Sequence, residues 1–169
     1  MRGISLIRYI LVLLTLSLLS SCDNFDFTKK HSTEDEVMKD FFEAKDRAED
    51  MLMDPLIVNS DLVKDRVIEE INDKNMDKRR YAIGYLGNEK INEALPALLS
   101  ILGDVSEIDY FRADALESIY QIKPSTGLTE ARKYINRSDY LGERAKSILN
   151  GTYKPFIRSL KDARKGIHN

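Results

Sequence analysis

From Thr33 onward, apolar residues recur at steps of three and four, the spacing of one face of an α-helix. No run alternates with period two for long enough to predict a strand. In "EVMKDFFEAKDRAEDMLMD" the apolar face is Val37, Phe41, Ala44, Ala48, Met51 and Leu52, and Thr33 with Glu36 forms a capping box at its start. Asp54-Pro55 is expected to stop that helix, because the residue before a proline disfavours helical geometry. "NSDLVKDRVIEEI" opens with Asn59, Ser60 or Asp61 as cap and carries Leu62, Val67, Ile68 and Ile71 inward. Pro96 falls near a helix start, where a missing N–H costs little. Gly87, Gly103 and Gly151 each follow a helical run and suit C-terminal caps. Leu95, Leu99 and Leu116 are predicted to be core.

The pattern also repeats. "RRYAIGYLG" (79–87), "RADALESIY" (112–120) and "RAKSILNG" (144–151) align with Arg79, Arg112 and Arg144 at steps of 33 and 32. Three places on come small residues, Ala82, Ala115 and Ser147, followed by aliphatic Ile83, Leu116 and Ile148. A second helix keeps the same period through Leu62, Leu95, Leu128 and Leu160, and through Ile68, Ile101 and Tyr134. Two independent helices in one register predict tandem helical hairpins, none of which could bury its apolar face alone.

"RRYAIGYLGNEKINEALPALLSIL" resembles the HEAT and HEAT-like (phycobilisome lyase type) repeats, with their arginine, small residue, Leu-Gly, loop and "ALPALL". The resemblance is carried best by 79–122, less by 123–163 and least by 35–72, where Arg47 is followed three places on by Asp50. It implies an all-α fold, a short α-solenoid. Residues 34–72 then form capping helices or a degenerate repeat, and 73–169 form the array. It also implies that the arginines lie along the edge where hairpins turn, near Asp73, Asp77, Asp104 and Asp139. The second helices would line a concave face through Asp61 and Lys64, Ala94, Ala97 and Ser100, Glu130 and Lys133, and Asp162 and Lys165.

The N-terminal 21 residues have a different pattern. Arg2 and Arg8 flank the start of an apolar run from Tyr9 to Leu19, and Ser20-Ser21 are small, the layout of a cleaved signal. Eleven helical residues rise only ~16 Å, about half of a bilayer core, which disfavours a permanent span. Leu19-Ser20-Ser21-Cys22 resembles the lipobox of bacterial lipoproteins, in which the cysteine carries diacylglycerol and becomes the new N-terminus. Cys22 is the single cysteine of the chain, so it can form no internal disulfide. Acyl chains contribute ~0.8 kcal/mol per buried methylene, and two or three on one residue make a durable anchor. The stretch 22–33, "CDNFDFTKKHST", lacks helical periodicity and reads as a lipidated tether. Asp23 resembles an inner-membrane retention signal of enterobacterial lipoproteins, a rule that does not extend to all bacteria. The membrane is left open, and the body is expected to face the periplasm or exterior.

Composition narrows the function. The chain has 169 residues, 43% hydrophobic and 32% charged, enough for a core. Two of the 26 basic residues, Arg2 and Arg8, precede Cys22 and no acid does, leaving 24 against all 28 acids, a formal −4. Without a basic stripe, nucleic acid is not an expected partner. His31 in the tether and His168 near the C-terminus are the only histidines, so no His/Cys metal site or nucleophilic triad is expected, nor any cofactor. Glu69-Glu70 and Glu34-Asp35-Glu36 read as solvated or dipole-favouring acids, and the tyrosines as packing at repeat seams. These readings point to a monomeric, non-enzymatic scaffold that binds a protein partner from a lipid anchor in the cell envelope. Alternatives are an immunity lipoprotein neutralising an envelope-acting toxin, or an accessory or lyase-type protein of the HEAT-like family.

Overall fold

The computed structural model of the chain describes residues 29–44 and 51–155. The signal segment, Cys22, Leu160, Asp162, Lys165 and His168 lie outside them. The described residues are all-helical, with no strand. In order the helices are α1 (Glu34–Glu43), α2 (Asp54–Val58), α3 (Ser60–Glu70), α4 (Arg79–Asn88), α5 (Leu95–Gly103), α6 (Asp109–Ile122), α7 (Pro124–Tyr134) and α8 (Tyr140–Leu149). A short 3-10 turn, Asn92–Ala94, leads into α5.

The capping box at α1 is present as expected. Glu36 N–H donates to Thr33 Oγ1 and Thr33 N–H to Glu36 Oε2, each at 3.3 Å. The helix ends at Glu43, however, rather than running on toward Asp54, and Ala44 takes extended geometry. Its C-terminal carbonyls have a partner from far along the chain: Lys78 Nζ donates to Phe41 O (2.7 Å) and Ala44 O (2.6 Å). A cation that satisfies orphan carbonyls stabilises a helix end there. Pro55, expected to stop a helix, instead lies in the first turn of α2, where its missing N–H is one the helix leaves unpaired anyway.

α6 is the centre of the C-terminal part. It packs against α4, α5, α7 and α8, and every residue from 112 to 119 is buried. α1, α2 and α3 pack on one another, and α2 and α3 both reach α4. One apolar cluster runs through all of it, from Val37, Phe41 and Leu56 through Ile83 and Leu98 to Leu116 and Ile148.

Some register expectations need correction. On α5 the fully buried leucines are Leu98 and Leu102, and Leu95 and Leu99 are only half-buried against the core. Leu116 is fully buried as expected. On α8 the fully buried small residue is Ala145, while Ser147 is half-buried. Gly87 is not a cap; it lies inside α4 against α6, where an added Cβ would sit 2.6 Å from Ser118 Cα. Its role is close helix approach, sealed by Ser118 Oγ donating to Ile83 O at 2.9 Å. Gly103 is the last residue of α5, without left-handed geometry. Gly151 does cap α8: its φ is +68°, its N–H reaches Ile148 O and that of Thr152 reaches Ser147 O, the two bonds of a Schellman motif.

Candidate functional site

The aligned arginines are the first candidates, and two of them are buried. Arg79, 3% exposed, donates Nε to Ile71 O (2.6 Å) at the end of α3 and Nη1 to Glu107 Oε2 (2.6 Å), with Phe111 5.1 Å away across its face. Arg112, 4% exposed, donates Nε to Leu102 O (3.0 Å) near the end of α5 and Nη1 to Asp109 Oδ1 (3.0 Å), with its guanidinium 5.6 Å from Tyr134. Each side chain thus ties off the end of the preceding helix and stacks on a later ring, a task the planar five-donor fork performs well.

Their acidic partners differ from the expected set. Asp104 holds Lys74 (2.7 Å), and Asp139 holds Arg137 (2.7 Å) and caps α8 through Gly142 N–H (3.0 Å). Asp73 and Asp77 accept backbone N–H groups in their own loop. The acids that pair with the arginines, Glu107 and Asp109, immediately precede α6 or begin it.

Arg144 belongs to a different constellation, which the sequence did not suggest. Asp114 and Glu117 lie one turn apart on α6, buried at 8% exposure each. Arg80 from α4 approaches Asp114 Oδ2 at 3.6 Å. Arg144 from α8 forms an ion pair with Glu117, its Nε beside Oε1 but off the hydrogen-bonding axis. Tyr153 donates its hydroxyl to Glu117 Oε2 (3.1 Å) and accepts from Gln121 Nε2 (3.0 Å). Arg80 lies over Tyr110 (4.6 Å) and Arg144 over Tyr140 (5.2 Å), and these two rings stack at 4.9 Å. Cations, carboxylates and rings therefore interleave across three helices.

Burial pushes the Asp114 carboxyl up to about 7, the Glu117 carboxylate adds to the rise, and Arg80 and Arg144 oppose it. Here burial outweighs an adjacent guanidinium. Glu117 is raised by burial as well, against Arg144. Two carboxyls with raised affinity for protons suit general acid/base chemistry in principle. The space beside them is small. The cavity lined by Arg80, Asn88, Asp114, Glu117 and Gln121 has about 40 Å³. That volume accommodates water, whereas pockets for organic ligands run to hundreds of Å³. Asn88 Nδ2 is buried there without a protein partner among the described residues. The constellation is an ionic seam between helices with a cavity of water size beside it.

The residues expected on the concave face are placed as follows. Asp61 and Ser100 are exposed, Lys64 is half-exposed and pairs with Glu93 (3.1 Å), and Lys133 pairs with Glu130 one turn away on α7 (2.7 Å). Ala97 is half-buried against the core, and Ala94, expected outward, is fully buried. Ala94 lies four residues before Leu98 and eight before Leu102, so it shares their buried face; the outward assignment followed from taking Leu95 and Leu99 as the core positions. Asp61 and Lys64 do share a polar groove of about 440 Å³ with Lys30, Lys90 and Glu93. The principal packing of α5 and α7 is against α6.

His31 also departs from expectation. It is held against the body, its side chain 5% exposed and Nε2 3.3 Å from Asp40 Oδ2. Among the described residues no group of three or more His, Cys, Asp or Glu could hold a metal ion. No helix among them is long and apolar enough to cross a membrane. No family model, no curated protein and no solved structure matches the chain.

Proposed function

We propose that the chain is a non-enzymatic protein-binding scaffold of the bacterial cell envelope, a short α-solenoid of HEAT-like hairpins held to the membrane by lipid on Cys22. One observation carries the solenoid reading. Arg79 and Arg112, 33 residues apart, make the same kind of contact, Nε to a carbonyl at the end of the preceding helix. A contact that recurs with the sequence period is what stacked equivalent hairpins produce. The scaffold reading is supported by the small ionic cavity, which leaves little room for a substrate, and by the open groove beside Asp61 and Lys64.

The test has two arms. Affinity capture from solubilised membranes, with mass spectrometry, should return a protein partner for the wild type. Asp61→Arg with Ser100→Arg places charge on two exposed positions and should abolish capture at unchanged helicity, because a repulsive charge at an interface costs several kcal/mol. Capture at wild-type affinity would remove this face from consideration. Separately, Cys22→Ser should lose labelled palmitate; equal incorporation in the variant would sink the anchor reading.

A further inference from the structure

Residues 29–33 lie before the first helix, yet they are tied to the body at several points. Asn59, 3% exposed, reads their backbone with its side-chain amide. Its Oδ1 accepts His31 N–H (2.9 Å), and its Nδ2 donates to Lys29 O (3.2 Å) and to Pro55 O (2.9 Å). Bonding the C=O of one residue and the N–H two places on is what a neighbouring parallel strand does. Lys30, between them, donates its Nζ to Val58 O. The His31 ring packs in beside Asp40, and Ser32 donates both N–H (3.0 Å) and Oγ (2.9 Å) to Glu36 Oε2. Asn59 stands at the N-cap position of α3 but makes no capping bond with its side chain. The amide is committed to the segment.

We propose that Asn59, with Val58 O and Asp40, forms an intramolecular binding site for an extended peptide, occupied by residues 29–31, and that this strap sets how the body stands on its anchor. The second half rests on lipid attachment at Cys22. Seven residue steps separate Cys22 from Lys29, at most ~25 Å when fully extended. The strap is bound where α2 ends and α3 begins, and Lys30 lines one groove with Lys90 and Glu93. That end of the helices is therefore kept within ~25 Å of the anchor. The loops at the far end of α3, where Lys74 meets Asp104 and Ser106 and where Val105 and Ile108 are exposed, lie a helix length, roughly 16 Å, farther from the strap.

Amide hydrogen exchange on the full chain in detergent tests the strap. The His31 amide should be protected in the wild type and exchange at least ten-fold faster in Asn59→Ala, with α6 amides unchanged. Free exchange of His31 in the wild type overturns the proposal, as does unchanged protection in the variant. Should Asn59→Ala fail to fold, His31→Pro removes the same N–H from the strap side. Trypsin should then cut after Lys29 at least ten-fold faster than in the wild type, and an equal rate overturns the proposal. Orientation is read in phosphatidylethanolamine/phosphatidylglycerol vesicles with a fluorophore on Asn92→Cys or Val105→Cys and a headgroup quencher. Position 92 should be quenched more than 105, and Asn59→Ala should erase the difference. Equal quenching in the wild type removes the orientation claim while the exchange result still decides the strap. Palmitate incorporated equally into wild type and Cys22→Ser, or into neither, is a separate readout that fails only the anchor.

Discussion

The helices before residue 72 and those after residue 78 solve the same packing problem with different side chains. In α1–α3 the largest fully buried side chains include Phe41, Met38 and Met53, and the buried polar residues are Asp54 and Asn59. In α4–α8 and their loops there is no methionine, the fully buried side chains include Tyr85, Ile83, Leu86, Leu98, Leu102, Leu116, Ile119 and Leu141, and Arg79, Glu107, Arg112, Asp114, Glu117 and Ser118 are buried among them. Helices short of a regular neighbour need bulky, adaptable side chains to fill irregular gaps, a role methionine suits. Helices stacked on both flanks, as α6 is between α4 and α8, have no watery edge left. Their polar stripe must be covered and is stable only when every charge meets a partner. The lesson is that covering a helix on both flanks turns surface charge into buried charge.

The sharpest way to break this contrast is Arg79→Ala. Glu107, 4% exposed at its side chain, would be left buried without its cation, and the carbonyl of Ile71 would lose its donor. Removing one partner of a buried pair costs about 3–5 kcal/mol, so the urea midpoint should fall steeply. A loss below ~1 kcal/mol would mean that the pair is solvated and the contrast is false.

A second variant pair sharpens the comparison on apolar ground. Leu98→Ala should cost ~2–5 kcal/mol through lost burial and a cavity, while the half-buried Leu99→Ala should cost clearly less. Equal losses in denaturation would show that α5 is rotated from the orientation described.

The smallest effect is the most diagnostic. The folded-state affinity of Asp114 for its proton is raised, up to about 7 from an ordinary 3.8. A native state that holds a proton the unfolded chain releases is favoured at low pH. The Asp114 contribution is fully present below about pH 4 and is lost as pH rises through about 7. Asp114→Asn, which stays neutral, should therefore flatten the wild-type decline between about pH 4 and 7. The variant should gain on the order of 1–3 kcal/mol relative to wild type at pH 8 compared with pH 4. Identical pH profiles for the two proteins, measured by urea denaturation, would place Asp114 in water.

Where sequence reading succeeded, the cause was local. The capping box of Thr33 and Glu36, the helical class, Leu116 and Ile148 in the core, and Gly151 as a left-handed cap all follow from residues within one or two turns of each other. Helical period and cap chemistry act over that distance, so those elements were legible. The candidate site was much less so. Asp114, Glu117 and Gln121 form an i, i+3, i+7 polar stripe that reads as a solvated face.

The sequence by itself determined that this chain makes helices, roughly where they begin, and the 33-residue period of its arginines. The tertiary structure alone decided which polar groups lose water. Arg80 stands 34 positions before Asp114, and Arg144 stands 27 after Glu117. Lys78 ends a helix 34 residues earlier, and Asn59 takes hold of a backbone 28 residues before it. Each of these contacts spans most of a repeat or more, beyond the reach of local propensity. Their energetics depend on burial, which exists only once the neighbouring helices are in place.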